Sequence, residues 1–386
     1  MRLYRQLWNS PGLMRVVFAQ LLARFPYGMM VLALVMHVQF VFHSYAIAGI
    51  ALGAETISTA ISGPILGRLI SKVGIQKVVL PGSLISITAI LLIAYTPFAA
   101  WWVVLLGVVL GLSQPPIQSA ARTVYPKLIK PELRSSIFAL DATSQELIWI
   151  LGPVLATFAA AQISTLFALE LMAAIQAVGI AMFLLDRNVK NAKIVRTENS
   201  FGHVMKNRKV VLMISLGTLI VASFAGMEIP TVALLGKAIS GTVIAVFSIG
   251  SIIGGLTLGH RNQYPWAVAG FFLVTTLGYS LGILFPHNAL WLAVCWFFGG
   301  IAVAPILGTL NAMISVSTQV ADAPEAYGWL GTGQLLGYAG AAILVGFLID
   351  NFSAAAGLWV AIGFSFIGLC VSLMTVKSMP KLRSAH

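Results

Sequence analysis

Six ionisable side chains lie within segments that are otherwise apolar, and they are the first candidates for chemistry in this chain. They are one guanidinium and five carboxyl groups: Arg24, Glu55, Asp141, Glu146, Glu170 and Glu228. A charge in the hydrocarbon region of a membrane is costly, so such residues commonly mark a substrate path or a proton relay. These residue types therefore suggest the binding of a polar group and the exchange of a proton.

We expect Arg24 and Glu55 to reach the same depth on neighbouring helices. Arg24 lies about 16 Å into the first apolar segment and Glu55 about 15 Å into the second, counted from opposite sides. Gln20 and Tyr27 share a helical stripe with Arg24. Two interpretations are open. Either Glu55 exchanges a proton while Arg24 binds a substrate anion or holds Glu55, or the two side chains form a permanent salt bridge.

Glu146 is the second candidate for proton exchange. It lies in the fifth apolar segment and begins a helical stripe with Trp149. The alternative is that Glu146 pairs with Arg122 or Arg134 and closes a gate. Asp141, at least one turn earlier, is expected nearer the membrane interface.

For the remaining two carboxyl groups, the sequence predicts a less specific role. Glu228 lies just before Pro230 in the outer third of the seventh apolar segment. It is a substrate contact, an outer gate or a solvated residue at the interface. Glu170 lies in the sixth segment, where we expect a structural or protonated role.

Amide and aromatic side chains complete the candidate substrate site. The residues expected to contact the substrate are Arg24, Tyr27, Gln114, Gln118, Trp149, Glu228, Asn311, Gln334 and Tyr338. Pairs at i, i+4 spacing, such as Gln114 and Gln118, share one face of a helix. Amides together with aromatic rings suit a substrate that is partly apolar and carries a few polar groups.

About twelve apolar segments must position these side chains, in a chain of 386 residues that is 59% hydrophobic and 9% charged. A helix needs roughly 20 apolar residues to cross a hydrocarbon core of about 30 Å. The candidate segments are 13–38, 44–70, 78–98, 100–124, 139–162, 164–185, 210–235, 239–259, 264–285, 288–316, 327–349 and 354–376. The sequence therefore predicts an all-α membrane protein with little material left for a soluble domain.

Basic residues in the connecting segments lie almost entirely on one side. If the amino terminus is cytoplasmic, Lys237 is the one basic residue of these connections that falls outside. This bias is the positive-inside pattern of an even number of spans with both termini in the cytoplasm. Topology and attraction to anionic lipid explain the formal charge of +12, and no basic soluble domain is left to hold nucleic acid.

The sequence contains no motif of an enzyme or of a cofactor site. Both cysteines, Cys295 and Cys370, lie inside predicted spans, so neither a disulfide framework nor a metal site is expected. A nucleotide-binding loop and a Ser-His-Asp arrangement are also missing. We therefore expect no enzymatic activity, no metal, no cofactor and an energy source other than ATP.

One long polar connection, from Asp186 to Lys209, divides the chain into two six-span halves. The predicted parts are an amino-terminal bundle 1–186, a cytoplasmic linker 187–209 and a carboxy-terminal bundle 210–386. Residues recur at one constant offset, because Trp102, Pro116, Thr143 and Gln145 correspond to Trp291, Pro305, Thr332 and Gln334. Such repeats are typical of transporters that bind substrate near the midplane between the halves.

Two motifs resemble those of the major facilitator superfamily. The loop from 67 to 77, which includes Arg68 and Ser71, is similar to the family's cytoplasmic loop motif through Gly67, Lys72 and Gly74. In the fifth segment, Gly152-Pro153 looks like the Gly-Pro of exporters that exchange substrate for protons.

The resemblance covers essentially the whole chain and implies two pseudo-symmetric six-helix bundles that open alternately to each side. It also implies that the loop motif and Gly152-Pro153 act as conformational gates. The loop motif normally carries Asp where this chain has Ser71, and in the family that acid pairs with basic residues to latch the cytoplasmic side. The latch of this chain is therefore expected to be weaker or built differently.

The sequence as a whole predicts a secondary active transporter of the bacterial inner membrane, driven by protons through Glu55 and Glu146. The resemblance carried by Gly152-Pro153 favours export of a small amphipathic compound. Three alternatives remain open: an importer or exchanger of an anionic metabolite bound by Arg24, a lipid flippase, and a membrane receptor that transports nothing.

Overall fold

The computed structural model describes residues 2–96, 98–192, 198–259, 264–380 and 382. Within these ranges the chain is helical almost throughout and contains no β-strand, so the all-α prediction is confirmed. Residues 193–197 of the predicted linker and the side chain of Lys237 lie outside the described part.

The helices follow one another along the chain with short connections. They are Arg2–Trp8, Leu13–Phe42, Tyr45–Val73, Ile75–Tyr95, Ala100–Ser113, Ile117–Leu128, Arg134–Gln162, Thr165–Leu185, Arg187–Lys190, Arg208–Leu258, Pro265–Gly282, Ala289–Ile301, Val303–Ser317, Ala323–Asn351 and Leu358–Thr375. Three short 3-10 turns lie between them, at Pro131–Leu133, His203–Lys206 and Ala354–Gly357.

Twelve stretches of the described chain are long and apolar enough to cross a membrane, and we number them as spans 1 to 12. They are Leu13–Phe42, Ala46–Val73, Ile75–Tyr95, Ala100–Leu128, Pro131–Gln162, Thr165–Leu185, Arg208–Gly236, Ile239–Leu258, Pro265–Gly282, Ala289–Ser317, Ala323–Asn351 and Ala354–Thr375. The predicted count is confirmed. Span 5 begins earlier than the predicted residue 139, because the helix continues through polar residues that the apolar pattern does not include.

Two irregular points in these spans have a clear cause in the sequence. Between spans 7 and 8 the chain turns at Gly236, whose φ of 74° is a left-handed conformation that favours glycine. In span 4 the helix is interrupted at Pro115 and Pro116, because proline has no backbone N–H to donate.

Hydroxyl groups of neighbouring spans satisfy the carbonyl oxygens that this interruption frees. The Tyr27 hydroxyl donates to the Pro115 oxygen at 2.8 Å, and the Ser62 hydroxyl donates to the Gly111 oxygen at 2.9 Å. Without water, a broken helix in a membrane requires such partners. The proline pair thereby fixes polar side chains of spans 1 and 2 at the centre of the first bundle.

Glycines allow the helices within each bundle to pack at backbone contact. Gly152 of span 5 lies against the backbone of Gly28 in span 1, and Gly179 of span 6 lies against Ala23. In the second bundle Gly226 packs in the same way against Ala361. Small residues are enriched at such helix crossings because they let the backbones approach closely.

The two bundles meet on the face that carries the helix Arg2–Trp8 and the linker, which we call the terminal face. The close backbone and side-chain contacts there are Gly67 with Pro324, Gly63 with Gly328, Ala139 with Gly308 and Thr143 with Gly255. In span 11, residues 323–328 are all buried, whereas beyond Leu330 the buried ones are Ala341 and Val345. The bundles are therefore sealed together toward the terminal face and separate toward the opposite face.

The packing predicts unequal effects of two glycine-to-alanine changes. Gly179→Ala places a methyl group against the backbone of Ala23, and overpacking of this kind costs about 1–3 kcal/mol. Gly363→Ala in span 12 meets no atom within 4 Å, and alanine is the better helix former. Thermal unfolding in detergent should show a lower Tm for Gly179→Ala and an equal or higher Tm for Gly363→Ala. Equal melting of both variants would contradict the described crossing of spans 1 and 6.

Candidate functional site

The centre of the first bundle contains a buried cluster of three charged side chains. The Arg122 Nε donates to the Asp141 Oδ2 at 2.9 Å, and the Arg24 Nη1 lies 3.8 Å from the Asp141 Oδ1. All three side chains are at most 4% exposed. Two guanidinium groups share one carboxylate, so the cluster carries one excess positive charge in a region that water does not solvate.

Neutral polar groups complete the coordination of this cluster. The Tyr125 hydroxyl donates to the Asp141 Oδ1 at 3.2 Å. Arg24 donates to the amide oxygens of Gln20 and Gln145, at 3.0 and 2.9 Å. With the Gln118 amide oxygen turned toward the guanidinium groups, it accepts from the Arg24 Nη2 at 3.0 Å. Amide oxygens thus bind donors that one carboxylate cannot satisfy, although the Arg24 Nε has no partner among the described atoms.

This cluster corrects two of the expectations from the sequence. The pairing of Arg24 with Glu55 is wrong, because the ion-pair partner of Arg24 is Asp141. Asp141 is not a solvated residue of the interface, because it is fully buried and lies 3.8 Å from Arg24. The apolar pattern ended span 4 at residue 124 and began span 5 at residue 139, which placed Arg122 and Asp141 at the ends of their spans. Both helices extend further, so each residue lies well inside its helix.

Glu55 lies in span 2 beside the interrupted part of span 4. The Thr59 hydroxyl is 3.0 Å from the Glu55 Oε1, and the Thr56 hydroxyl is 3.2 Å from the Oε2. The Thr59 hydroxyl also lies 2.8 Å from the amide oxygen of Gln114. The Thr59 hydroxyl thereby connects Glu55 with Gln114.

Glu146 connects the two bundles near their middle. The Ser251 hydroxyl of span 8 donates to the Glu146 Oε1 of span 5 at 2.8 Å. The alternative pairing of Glu146 with Arg122 is wrong, because the carboxylate that Arg122 binds belongs to Asp141.

Glu228 is held within the second bundle by Tyr338 of span 11. The Tyr338 hydroxyl donates to the Glu228 Oε2 at 2.8 Å. Among the residues that the structure describes, neither Glu228 nor Glu55 nor Glu146 forms an ion pair. Three interior carboxyl groups are therefore bound by hydroxyl groups instead of cations.

The other predicted substrate contacts take different positions. Trp149 is 51% exposed and lies on the helix face that also carries Gln145 and Glu146. Gln334 is half-buried on span 11. Asn311 is fully buried and donates to the Leu307 oxygen of its own helix, so it packs inside the second bundle.

Glu170 lies away from this central region. Its carboxyl accepts a hydrogen bond from the hydroxyl of Tyr95, which is exposed on the outer surface of the first bundle at the end of span 3. This position separates Glu170 from the carboxyl groups that face the middle of the molecule.

The terminal face is closed by an ion-pair network between spans 2 and 11. The Arg68 Nη1 lies 3.4 Å from the Asp322 Oδ1 and 3.5 Å from the Glu325 Oε2. Ser71, at the position of the family's acid, is buried on the same side of span 2 as Gly67. The latch is therefore built differently, since its acids come from the first turn of span 11 and the residue before it instead of the loop.

The remaining predicted gate residues surround this network or lie apart from it. Lys72 is exposed, and Gly74 ends span 2 with a φ of 95° that favours glycine. Gly152 and Pro153 lie in span 5, where Gly152 contacts span 1 of the same bundle. A second link at the terminal face is the Ser135 hydroxyl, which donates to the Gly259 oxygen at 3.0 Å.

The charge balance of the buried cluster leads to a prediction for Asp141→Asn. This variant leaves two guanidinium groups without a carboxylate, and removing one partner of a buried pair costs about 3–5 kcal/mol. The double variant Arg122→Gln with Asp141→Asn restores one excess charge, so it should melt at a higher temperature than Asp141→Asn alone. Thermal unfolding of both proteins in detergent measures the difference. A double variant that melts below the single variant would show that charge balance does not govern this cluster.

Comparisons with known proteins agree with this architecture. A family model described as Major Facilitator Superfamily matches residues 16–261 and again 232–385. The uncharacterized MFS-type transporter y4rN of Sinorhizobium fredii (strain NBRC 101917 / NGR234) is 30% identical over 157 residues, which are 40% of this chain and 39% of that protein. The match therefore spans about two-fifths of the length of that relative.

Two solved structures share the fold at low sequence identity. A bacterial homologue of the iron transporter ferroportin, in an outward-facing state, aligns over 95% of this chain and 99% of its own, with 13% identity and a TM-score of 0.78. The human organic anion transporter MFSD10 (TETRAN) aligns over 93% and 98%, with 14% identity and a TM-score of 0.74. These likenesses concern the fold alone. Because the family model covers both bundles, the chain belongs to the Major Facilitator Superfamily and is a multi-pass membrane protein with the fold of a secondary transporter.

Proposed function

We propose that this protein is a proton-coupled antiporter that exports a small amphipathic compound by alternating access. The observation that carries the proposal is the set of three interior carboxyl groups, Glu55, Glu146 and Glu228, whose described partners are hydroxyl groups. A carboxyl group that carries a proton is neutral and can be buried without a counter-charge. Intramembrane carboxyl groups of this kind are the usual sites of proton relays.

Glu146 is the carboxyl group best placed to couple the proton to a conformational change. Its bond to Ser251 joins spans 5 and 8, which belong to different bundles. Gain or loss of its proton therefore changes a contact that must break when the bundles move apart. Glu55 lies in a single bundle and serves as a second site of proton exchange.

Alternating access requires the terminal face to open. The contacts that must break are the Arg68 pairs with span 11, the Ser135 bond to Gly259 and the Glu146 bond to Ser251. All three join the bundles directly, and none of them is needed to hold either bundle together. Rocking of one bundle against the other is thus compatible with intact packing inside each.

The polar and aromatic groups around the opening support a substrate of mixed character. Trp149 offers a half-exposed aromatic face, while Tyr338 and Gln334 offer polar groups from the opposite bundle. Binding sites for small molecules commonly combine apolar walls with a few placed polar groups. An amphipathic compound fits this composition.

The basic residues of the sequence support the proposed orientation and location of the protein, whereas the resemblance at Gly152-Pro153 supports export. Their concentration on the side of the termini supports a cytoplasmic terminal face in a bacterial inner membrane. In that orientation the bundles separate toward the outside in the described conformation. Lipid headgroups that carry negative charge would contact the basic residues on this side of the membrane.

A second candidate function is import or exchange of an anionic metabolite, and the buried cluster favours it. Arg24, Arg122 and Asp141 leave one positive charge unbalanced, and the Arg24 Nε lacks a described partner. A substrate carboxylate or phosphate would supply the missing negative charge. Such a substrate would bind together with a proton instead of competing with it.

The direction of proton movement on ligand binding distinguishes the two candidates. Compounds that raise the Tm of the purified protein are added to it in weakly buffered detergent solution with a pH-sensitive dye. We expect an amphipathic ligand to release protons, because ligand and proton compete in an antiporter. Proton uptake with an anionic ligand would select the second candidate. A stabilising ligand that moves no protons would contradict proton coupling itself.

Glu146→Gln tests the residue that the proposal assigns to coupling. In proteoliposomes this variant should lose proton-driven accumulation of the substrate while it keeps exchange of substrate for substrate, because the amide holds no exchangeable charge. Glu170→Gln is the matched control, since its carboxyl lies on the outer surface with Tyr95, and it should accumulate substrate as the parent does. Full accumulation by Glu146→Gln would remove Glu146 from the coupling mechanism.

A further inference from the structure

The linker between the bundles contacts the acids that close the terminal face. We call residues 198–206 the linker strap, and Asp322 and Glu325 the gate acids. The Asn199 Nδ2 donates to the Asp322 Oδ2 at 2.8 Å, and the Gly202 N–H donates to the Glu325 Oε1 at 2.7 Å. The strap thus binds both acids, each through one oxygen.

The other oxygen of each gate acid faces Arg68. The Asp322 Oδ1 lies 3.4 Å from the Arg68 Nη1, and the Glu325 Oε2 lies 3.5 Å from the same nitrogen. Each carboxylate therefore bridges the strap on one side and span 2 of the other bundle on the opposite side. Because a carboxylate is planar, fixing one oxygen also fixes the direction of the second.

Local structure holds the strap in this position. Gly202 has a φ of 78°, a left-handed conformation that favours glycine, and in it the backbone N–H reaches Glu325. The Phe201 ring lies 5.8 Å from the ring of Trp329, centre to centre. Trp329 in turn donates through its Nε1 to the Glu325 Oε1 at 3.3 Å. The strap is therefore attached to the first turns of span 11 by both polar and aromatic contacts.

The strap stays with the second bundle. It leads directly into span 7, and the Asn207 Nδ2 that follows it donates to the Ser317 oxygen of span 10 at 2.8 Å. The hydrogen bonds from the strap to the gate acids therefore do not depend on span 2, and they can hold the two carboxylates in place for Arg68.

We infer that the linker strap positions the gate acids for Arg68 and thereby sets how often the terminal face opens. Asn199 and Gly202 are positioning residues, since they act on the gate through Asp322 and Glu325. The inference rests on the alternating-access part of the proposed function and is independent of the substrate and of proton coupling.

A cysteine reporter measures the opening directly. In a background with Cys295→Ala and Cys370→Ala, Ser71→Cys places a thiol on the buried side of span 2 that faces span 11. A hydrophilic maleimide labels it in the purified protein in nanodiscs, where both faces are accessible. Ser365→Cys, fully buried in span 12, is the folding control and should stay protected in every variant.

We expect Asn199→Ala to raise the labelling rate of the Ser71→Cys reporter by about tenfold, the equivalent of one hydrogen bond to a charged group. Arg68→Gln should raise it as well. In the Arg68→Gln background Asn199→Ala should add nothing, because the acids no longer have a cation to be positioned for. Ser200→Ala is the matched control, since its exposed side chain makes no hydrogen bond in the described structure.

Three outcomes would decide against the inference or against its basis. If Arg68→Gln accelerates labelling and Asn199→Ala does not, the strap rests on span 11 without controlling the gate. If the two changes add, the strap acts independently of Arg68. If Arg68→Gln itself changes nothing, the ion pairs do not control opening, and that part of the proposed function fails as well. If Asn199→Ala exposes the Ser365→Cys control, Phe201→Ala is used in place of Asn199→Ala. The same increase in the labelling rate of the Ser71→Cys reporter is expected.

Discussion

The absence of water around a buried charge is the constraint on which the rest of this structure depends. Each ionisable side chain inside the bundles must find a counter-charge, a donor or a proton, because transfer of an isolated charge to hydrocarbon is prohibitive. The described interior shows the first two solutions. Asp141 takes two guanidinium groups, the gate acids share Arg68 with the strap, and Glu146 accepts from a hydroxyl group. These ion pairs and hydrogen bonds differ in how easily they separate, and we assign the roles of the residues from that difference.

The same constraint explains why the helices break where they do. A pair of prolines in span 4 frees carbonyl oxygens that only protein groups can satisfy, and the hydroxyl groups of Tyr27 and Ser62 do so. The interruption therefore gathers polar side chains of three spans at one depth. Glu55 lies beside it, joined to Gln114 through Thr59. A local defect of the backbone thus organises part of the candidate site.

The sequence predicts what depends on local composition and misses what depends on distant partners. Apolar length and basic loops give the twelve spans, and buried charge singles out Glu55 and Glu146 before any coordinates are known. An apolar window places Arg122 at the end of its span, because it excludes the polar positions through which the helix continues. Asp322, one of the acids that bind Arg68, lies 254 residues further along the chain. No periodicity in the sequence connects the two residues. Pairing across bundles is a property of the assembled fold.

Linkage connects the charge of the substrate with the direction in which protons move. In the proposed antiport, a cationic group of the substrate beside Glu146 or Glu228 would stabilise the ionised carboxylate, so substrate and proton would exclude one another. In the alternative, an anionic group beside Arg24 would balance the excess charge of the buried cluster and leave the carboxyl groups neutral, so substrate and proton would travel together. If the two bundles alternate as proposed, the sign of the substrate charge would determine whether the proton moves with the substrate or against it.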